Sequence, residues 1–108
     1  MNLSSKKCIP CKIGAPKLKL IEIKSYLKKI KKDWKVIKNH HMEKEFKFNN
    51  FKGALGFTNK VGKIAEKERH HPDIHLSWGK VKVIIYTHKI NGLHENDFIL
   101  AAKIDKIK

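Results

Sequence analysis

The sequence predicts an α+β domain in the order α-β-β-α-β-β-α: a four-stranded antiparallel sheet with three helices packed on one face. Apolar residues recur at helical spacing in three separate stretches. Between those stretches lie two pairs of strand-like runs, each pair broken by a polar or glycine turn.

Pro16 suits a helix start, because it lacks the N–H that goes unpaired there. Beyond it Leu20, Ile23, Leu27 and Ile30 repeat at three- and four-residue steps, with Lys19, Lys24, Lys28 and Lys29 between them as a wet basic face. From Trp34 the period shortens to two, and "DWKVIKNHHMEKEFKF" reads as two strands joined by a turn near Asn39 and His40. Met42, Lys44, Phe46 and Phe48 share one face of the second strand, with Phe46 and Phe48 facing the core. His40 and His41 are expected to decorate the turn.

Asn49 or Asn50 can accept from the free N–H groups that open a second helix. Along it Phe51, Leu55, Thr58, Val61 and Ala65 form one stripe, with Ala54, Phe57 and Ile64 beside it. Gly53, Gly56 and Gly62 each cost a helix roughly 1 kcal/mol relative to Ala, which points to close packing against the sheet. Pro72 disfavours helical geometry in the residue before it, so this helix ends near His70 or His71. "IHLSW" and "KVKVIIYT" then read as an antiparallel pair broken at Gly79. In "HENDFILAAKIDKIK", Phe98, Ala101 and Ala102 mark a closing helix. His94 stands where Ser or Thr would complete a capping box with Asp97, so a weak cap is expected there.

A chain of 108 residues is the size of one domain, read as a flexible tail with a CxxC over residues 1–15 and a folded domain over 16–108. No apolar run approaches the ~20 residues needed to span a bilayer, and the start lacks a signal-peptide core, so a cytoplasmic protein is expected. The balance of 25 Lys+Arg against 10 Asp+Glu gives a net charge of +15. Arg is the better reader of phosphates and base edges, yet Arg69 is the only arginine and the lysines are scattered; nucleic-acid binding is not expected. Cys8 and Cys11 have no second CxxC or His pair at zinc-finger spacing. Reduced thiols are the simplest reading, with metal capture by a distant His or a redox bond as alternatives.

The histidines carry the chemistry. His70 and His71 fall where the second helix stops and His88 where the longest strand stops, so the three can meet at one rim of a helix-on-sheet sandwich. Imidazole titrates near neutral pH, and two imidazoles in different environments can hold one acid and one base. A three-histidine zinc site is the competing reading, but neighbours such as His70 and His71 seldom face one ion, so metal-free acid–base work ranks first.

"EKERHHPD", followed by "W", "KV" and "THKINGLHENDFILAAKID", resembles the pterin-4a-carbinolamine dehydratase family, whose pattern runs Glu-x-x-x-His-His-Pro, a β run, Thr-His, Gly-Leu and an Asp on the last helix. The resemblance implies removal of water from 4a-hydroxytetrahydropterin to give quinonoid dihydropterin. That substrate is the by-product of pterin-dependent aromatic amino-acid hydroxylases. It also implies His70, His71 and His88 as active-site histidines, and Glu66, Pro72, Thr87 and Asp97 as substrate-binding or supporting residues. The pterin is the substrate, no cofactor is needed, and a homodimer or homotetramer is expected. Two other readings stay open within the family: a non-catalytic dimerisation module, and a dehydratase for another pterin such as a molybdenum-cofactor intermediate.

Overall fold

A computed structural model describes residues 3–8 and 16–107. Its strands are β1 (Lys35–Ile37), β2 (His41–Lys47), β3 (Asp73–Ser77) and β4 (Lys80–Ile85), and its helices α1 (Leu20–Leu27), α2 (Phe51–Glu68) and α3 (Glu95–Asp105). The α-β-β-α-β-β-α order expected from sequence is the order found. All strand pairs are antiparallel, in the spatial order β1-β2-β4-β3.

Two tight turns set the sheet. Lys38 and Asn39 both adopt left-handed backbone (φ 52° and 55°), which gives the β1–β2 hairpin the twist its strands require. Gly79, between β3 and β4, lies against Phe48: the Phe48 N–H donates to the Gly79 carbonyl at 2.8 Å. A Cβ on Gly79 would stand 2.9 Å from the Phe48 carbonyl oxygen, so a larger residue would push the two segments apart.

Alternation does the rest. The register places Met42 opposite Ile85 and Phe46 opposite Val81, and Met42, Val81, Val83 and Ile85 are wholly buried beneath the helices. The other face of the sheet is polar and carries cross-strand pairs, Lys82–Glu43 at 3.4 Å and Lys80–Glu45 at 3.8 Å. Helix α3 is buried nearly all round, from Asn96 to Ala102, because α1, α2 and a 3-10 turn at Leu3–Ser5 all pack on it. Tyr26 of α1 stacks on Phe98 of α3 with ring centroids 5.2 Å apart. At the far end of α3, Asp105 accepts from the Trp34 indole N–H and pairs with Lys44 at 2.9 Å. Lys44 thus sits on the core face of β2 because a buried carboxylate meets it. Among the described residues no helix is long and apolar enough to cross a membrane.

Several local expectations are corrected. The first helix begins at Leu20, not at Pro16, and ends before Ile30. The Leu18 N–H donates to the Leu93 carbonyl at 2.9 Å, which holds the preceding segment extended against the loop before α3. On α2 the buried stripe runs through Ala54, Phe57, Val61, Ala65 and Glu68, whereas Phe51 and Leu55 are exposed. Nothing lies within 4 Å of where a Cβ would stand on Gly56 or Gly62, so sheet packing does not account for those glycines. Within the N-terminal stretch expected to be a tail, Leu3–Ser5 form a 3-10 turn and Leu3 is buried against the core. Lys103 donates to the Ser4 carbonyl at 2.9 Å and Lys6 pairs with Glu95 at 2.8 Å, which fastens the turn to α3. Cys11 lies outside the described residues, so of the CxxC only Cys8 can be placed.

Candidate active site

The site forms where three chain ends converge. Helix α2 stops at Glu68 because Arg69 turns left-handed (φ 54°), its N–H returning to the Ala65 and Glu66 carbonyls. The His70 N–H also donates to the Ala65 carbonyl, at 3.1 Å. The turn delivers His70 and His71 beside the end of β4. There Thr87 and Gly92 bond to each other through their backbones and close a loop whose first residue is His88.

The third end is the start of α3. His94 caps it, its Nδ1 accepting from the Asn96 N–H at 3.2 Å, and the Asp97 carboxylate accepts from the His94 N–H at 2.8 Å. The expected weak cap is therefore corrected: imidazole nitrogen replaces the hydroxyl oxygen and the capping box is complete.

Asp97 joins all three ends. It is fully buried, and its Oδ2 accepts from both the Thr87 hydroxyl (2.9 Å) and the His94 N–H, while Oδ1 accepts from His70 Nε2 at 2.5 Å. A buried carboxylate needs its acceptor positions filled, and here three donors fill them. The consequence for His70 is a fixed tautomer. With Nε2–H committed to Asp97, Nδ1 is the nitrogen left for a ligand.

His70, His71, Thr87 and His88 line one cleft of about 600 Å³, the first with a side chain only 13% exposed. His71 sits farther out, its Nε2 2.5 Å from Glu66, and both of those side chains are open to water. His88 packs edge-on against Tyr86, ring centroids 4.3 Å apart, and Tyr86 in turn meets His40. Of the residues singled out from sequence, Asp97 and Glu66 reach the cleft through their bonds to His70 and His71, whereas Pro72, between the Arg69 turn and β3, does not line it. Among the described residues no group of three His, Cys, Asp or Glu is arranged to hold a metal ion.

Sequence reasoning missed one wall. Cys8 and Lys7 line the cleft from the N-terminal segment, and Asn96 and Glu68 line it from α3 and α2. The Cys8 N–H donates to Glu68 at 2.9 Å, and its thiol lies 3.6 Å from the Asn96 carbonyl. Burial, reinforced by the nearby Glu68 carboxylate, pushes the Cys8 thiol up to about 12. A carboxylate two residues before His70 was the available signal, since Glu68 falls on the buried stripe of α2.

A helix-on-sheet domain with an imidazole cleft backed by one buried carboxylate has room for a small molecule and groups able to exchange protons. Comparison with known proteins narrows that class. The profile of the pterin 4 alpha carbinolamine dehydratase family matches residues 16–107, and the chain belongs to that family. It is 60% identical over 105 residues to a relative from Alkaliphilus metalliredigens, covering 97% of this chain and 95% of the relative. A second, from Rickettsia canadensis, is 54% identical over 103 residues, covering 95% and 94%. Both carry the name pterin-4-alpha-carbinolamine dehydratase. The fold is also that of a solved structure, the transcriptional coactivator/pterin dehydratase from Brucella melitensis, with TM-score 0.76 and 30% identity over 82% of this chain and 95% of that one.

Proposed function

We propose that this protein is a hydro-lyase that converts 4a-hydroxytetrahydropterin to quinonoid dihydropterin, returning the product of aromatic amino-acid hydroxylases to the tetrahydropterin cycle in the cytoplasm. The single observation that carries the reading is the His70–Asp97 pair at the base of a cleft shared with His71 and His88. Family membership supplies the substrate class.

The reaction breaks the C4a–O bond. One proton must reach the departing oxygen so that it leaves as water, and the adjacent ring nitrogen must give one up as the C=N bond forms. Protons are conserved and no electrons are exchanged with the protein, so two imidazoles suffice. His70 and His88 take the proton transfers in this reading. His70 offers Nδ1 while Asp97 stabilises the imidazolium it becomes, the logic of a carboxylate-oriented histidine. His71, exposed and paired with Glu66, positions the pterin.

The test is stopped-flow absorbance of carbinolamine decay. Wild type should accelerate it over buffer, His70→Ala and His88→Ala should lose kcat by at least ~100-fold, and His71→Ala should chiefly raise KM. Equal loss of kcat at all three would sink the division of roles. A second reading, a protein-binding module, is favoured by one observation: the Brucella melitensis protein is by name both a transcriptional coactivator and a pterin dehydratase. Wild-type protein that leaves the decay at the buffer rate would favour it.

A further inference from the structure

The rim of the cleft is cationic in a way that the dehydration chemistry does not use. Lys7, Lys67, Arg69 and Lys89 all line it, and they arrive from three separate places: the N-terminal segment, the end of α2 and the loop after β4. Among the described residues none of the four has an ion-pair partner, so their charge is not cancelled at the rim.

The carboxylates close by are spoken for. Glu68, the only acidic residue in the lining among the described residues, is buried, accepts from the Cys8 N–H and faces Lys103 at 3.7 Å. Glu66 is taken by His71, and Asp97 by its three donors. Four cations without carboxylate partners around a concave, partly apolar space raise its positive potential and favour an anion there.

Arg69 adds chemical detail to that charge. It is the only arginine in the chain, and it occupies a left-handed position (φ 54°, ψ 38°) where Gly or Asn is the unstrained choice. The cap is made by its backbone N–H, so the helix end has no use for the guanidinium. Attraction to the carbonyl end of α2 accounts for Lys67, but Lys7 and Lys89 are not on that helix. A guanidinium presents parallel N–H groups that match the oxygens of a phosphate.

We infer that the pterin taken by this cleft carries a phosphate ester on its side chain, gripped at the rim by Arg69 with Lys7, Lys67 and Lys89 around it. The inference rests on the dehydratase reading above and names the substrate class for it. The ring sits inward against the histidines and the phosphate outward, so the chemistry and the anion contact are spatially separate.

The test compares two stable ligands, 7,8-dihydroneopterin and its 3′-phosphate, by pterin fluorescence titration of the full chain at low and high salt. The phosphate ester should bind on the order of ten-fold more tightly at low salt, with the advantage shrinking in high salt. Arg69→Asn keeps a residue suited to the left-handed turn, so it should fold and lose several-fold of the advantage. Lys89→Gln, on a different element, should lose part of it too. Equal affinity for the two ligands, or an advantage untouched in both variants, would overturn the inference; so would inorganic phosphate that binds without competing with the ester. The decay assay separates the two claims. Turnover of a neutral carbinolamine with no phosphate preference removes this inference alone, whereas a phosphate preference without turnover removes the dehydratase reading, and with it the substrate assignment, and leaves only an anion-gripping rim.

Discussion

Replacing Asp97 by Asn changes one atom group in the most connected side chain of the site, and its cost can be worked through. The carboxylate accepts from three donors, two on Oδ2 and one on Oδ1. An amide has one acceptor oxygen and one donor nitrogen, so one side must lose. The cheaper orientation turns the oxygen to Thr87 and His94 and points the NH2 at His70. His70 must then move its proton to Nδ1 so that Nε2 can accept, which converts the nitrogen facing the cleft from an acceptor into a donor. A hydrogen bond to a charged group is worth ~1.5–3 kcal/mol, so the variant should be about 2–3 kcal/mol less stable. For a domain of 108 residues that lowers Tm by roughly 10–20 °C. Turnover should fall at least ~100-fold even where the protein is fully folded, because the tautomer is wrong. Thermal melts followed by circular dichroism and stopped-flow decay at about 15 °C, well below the melt, separate the two effects. A variant with Tm within about 2 °C of wild type and turnover within about two-fold would refute the reasoning.

Further outcomes follow from the contacts of three residues. Trp34→Phe removes the N–H that reaches both oxygens of Asp105 (3.0 and 3.1 Å) and should destabilise the fold by about 1–2 kcal/mol in urea titrations. In the wild type, Trp34 at 6% exposure should emit to the blue of Trp78 at 67%. Leu3→Ala should cost about 2 kcal/mol if the N-terminal turn is seated on α3, and an unchanged melt would mean that the turn contributes nothing. Cys8, with its thiol pushed up to about 12, retains its proton in the folded chain at pH values where an unfolded thiol has lost it. Stability should therefore fall as pH rises from about 9 towards 12, and Cys8→Ala should flatten that slope. In a Cys11→Ser background, alkylation of Cys8 by iodoacetamide at about pH 8 should run well below the rate for a free thiol, and the free-thiol rate would contradict the placement.

Much of this architecture is legible because the periodicity changes cleanly. Period-2 alternation in "KVKVII" and "HMEKEFK" has one reading when one face must be buried, and the observed register agrees with it. The histidine rim is legible because Pro72 limits where α2 can stop. What stays hidden depends on tertiary contacts. Pro16 has the chemistry of a helix start, but Leu18 is captured by Leu93 and the helix waits until Leu20. Helical spacing alone favours a stripe through Phe51 and Leu55 on α2, whereas the sheet selects the neighbouring row through Ala54 and Phe57. His94 as a cap, and Cys8 and Lys7 as cleft lining, could not be foreseen: one needs a known ring orientation and the others a contact across the full length of the chain. Lys44 likewise reads as an error in an apolar face until Asp105 is placed opposite it.

The most direct test of the central claim is chemical rescue at His70. His70→Gly leaves a hole beside Asp97 that free imidazole can enter, and the decay of 4a-hydroxytetrahydropterin is followed as imidazole is added. Proton transfer at this position predicts a variant that is nearly inactive alone and regains turnover in proportion to added imidazole, beyond the effect of imidazole in buffer. Wild-type turnover by the variant without imidazole would contradict the assignment, and with it the role of the His70–Asp97 pair.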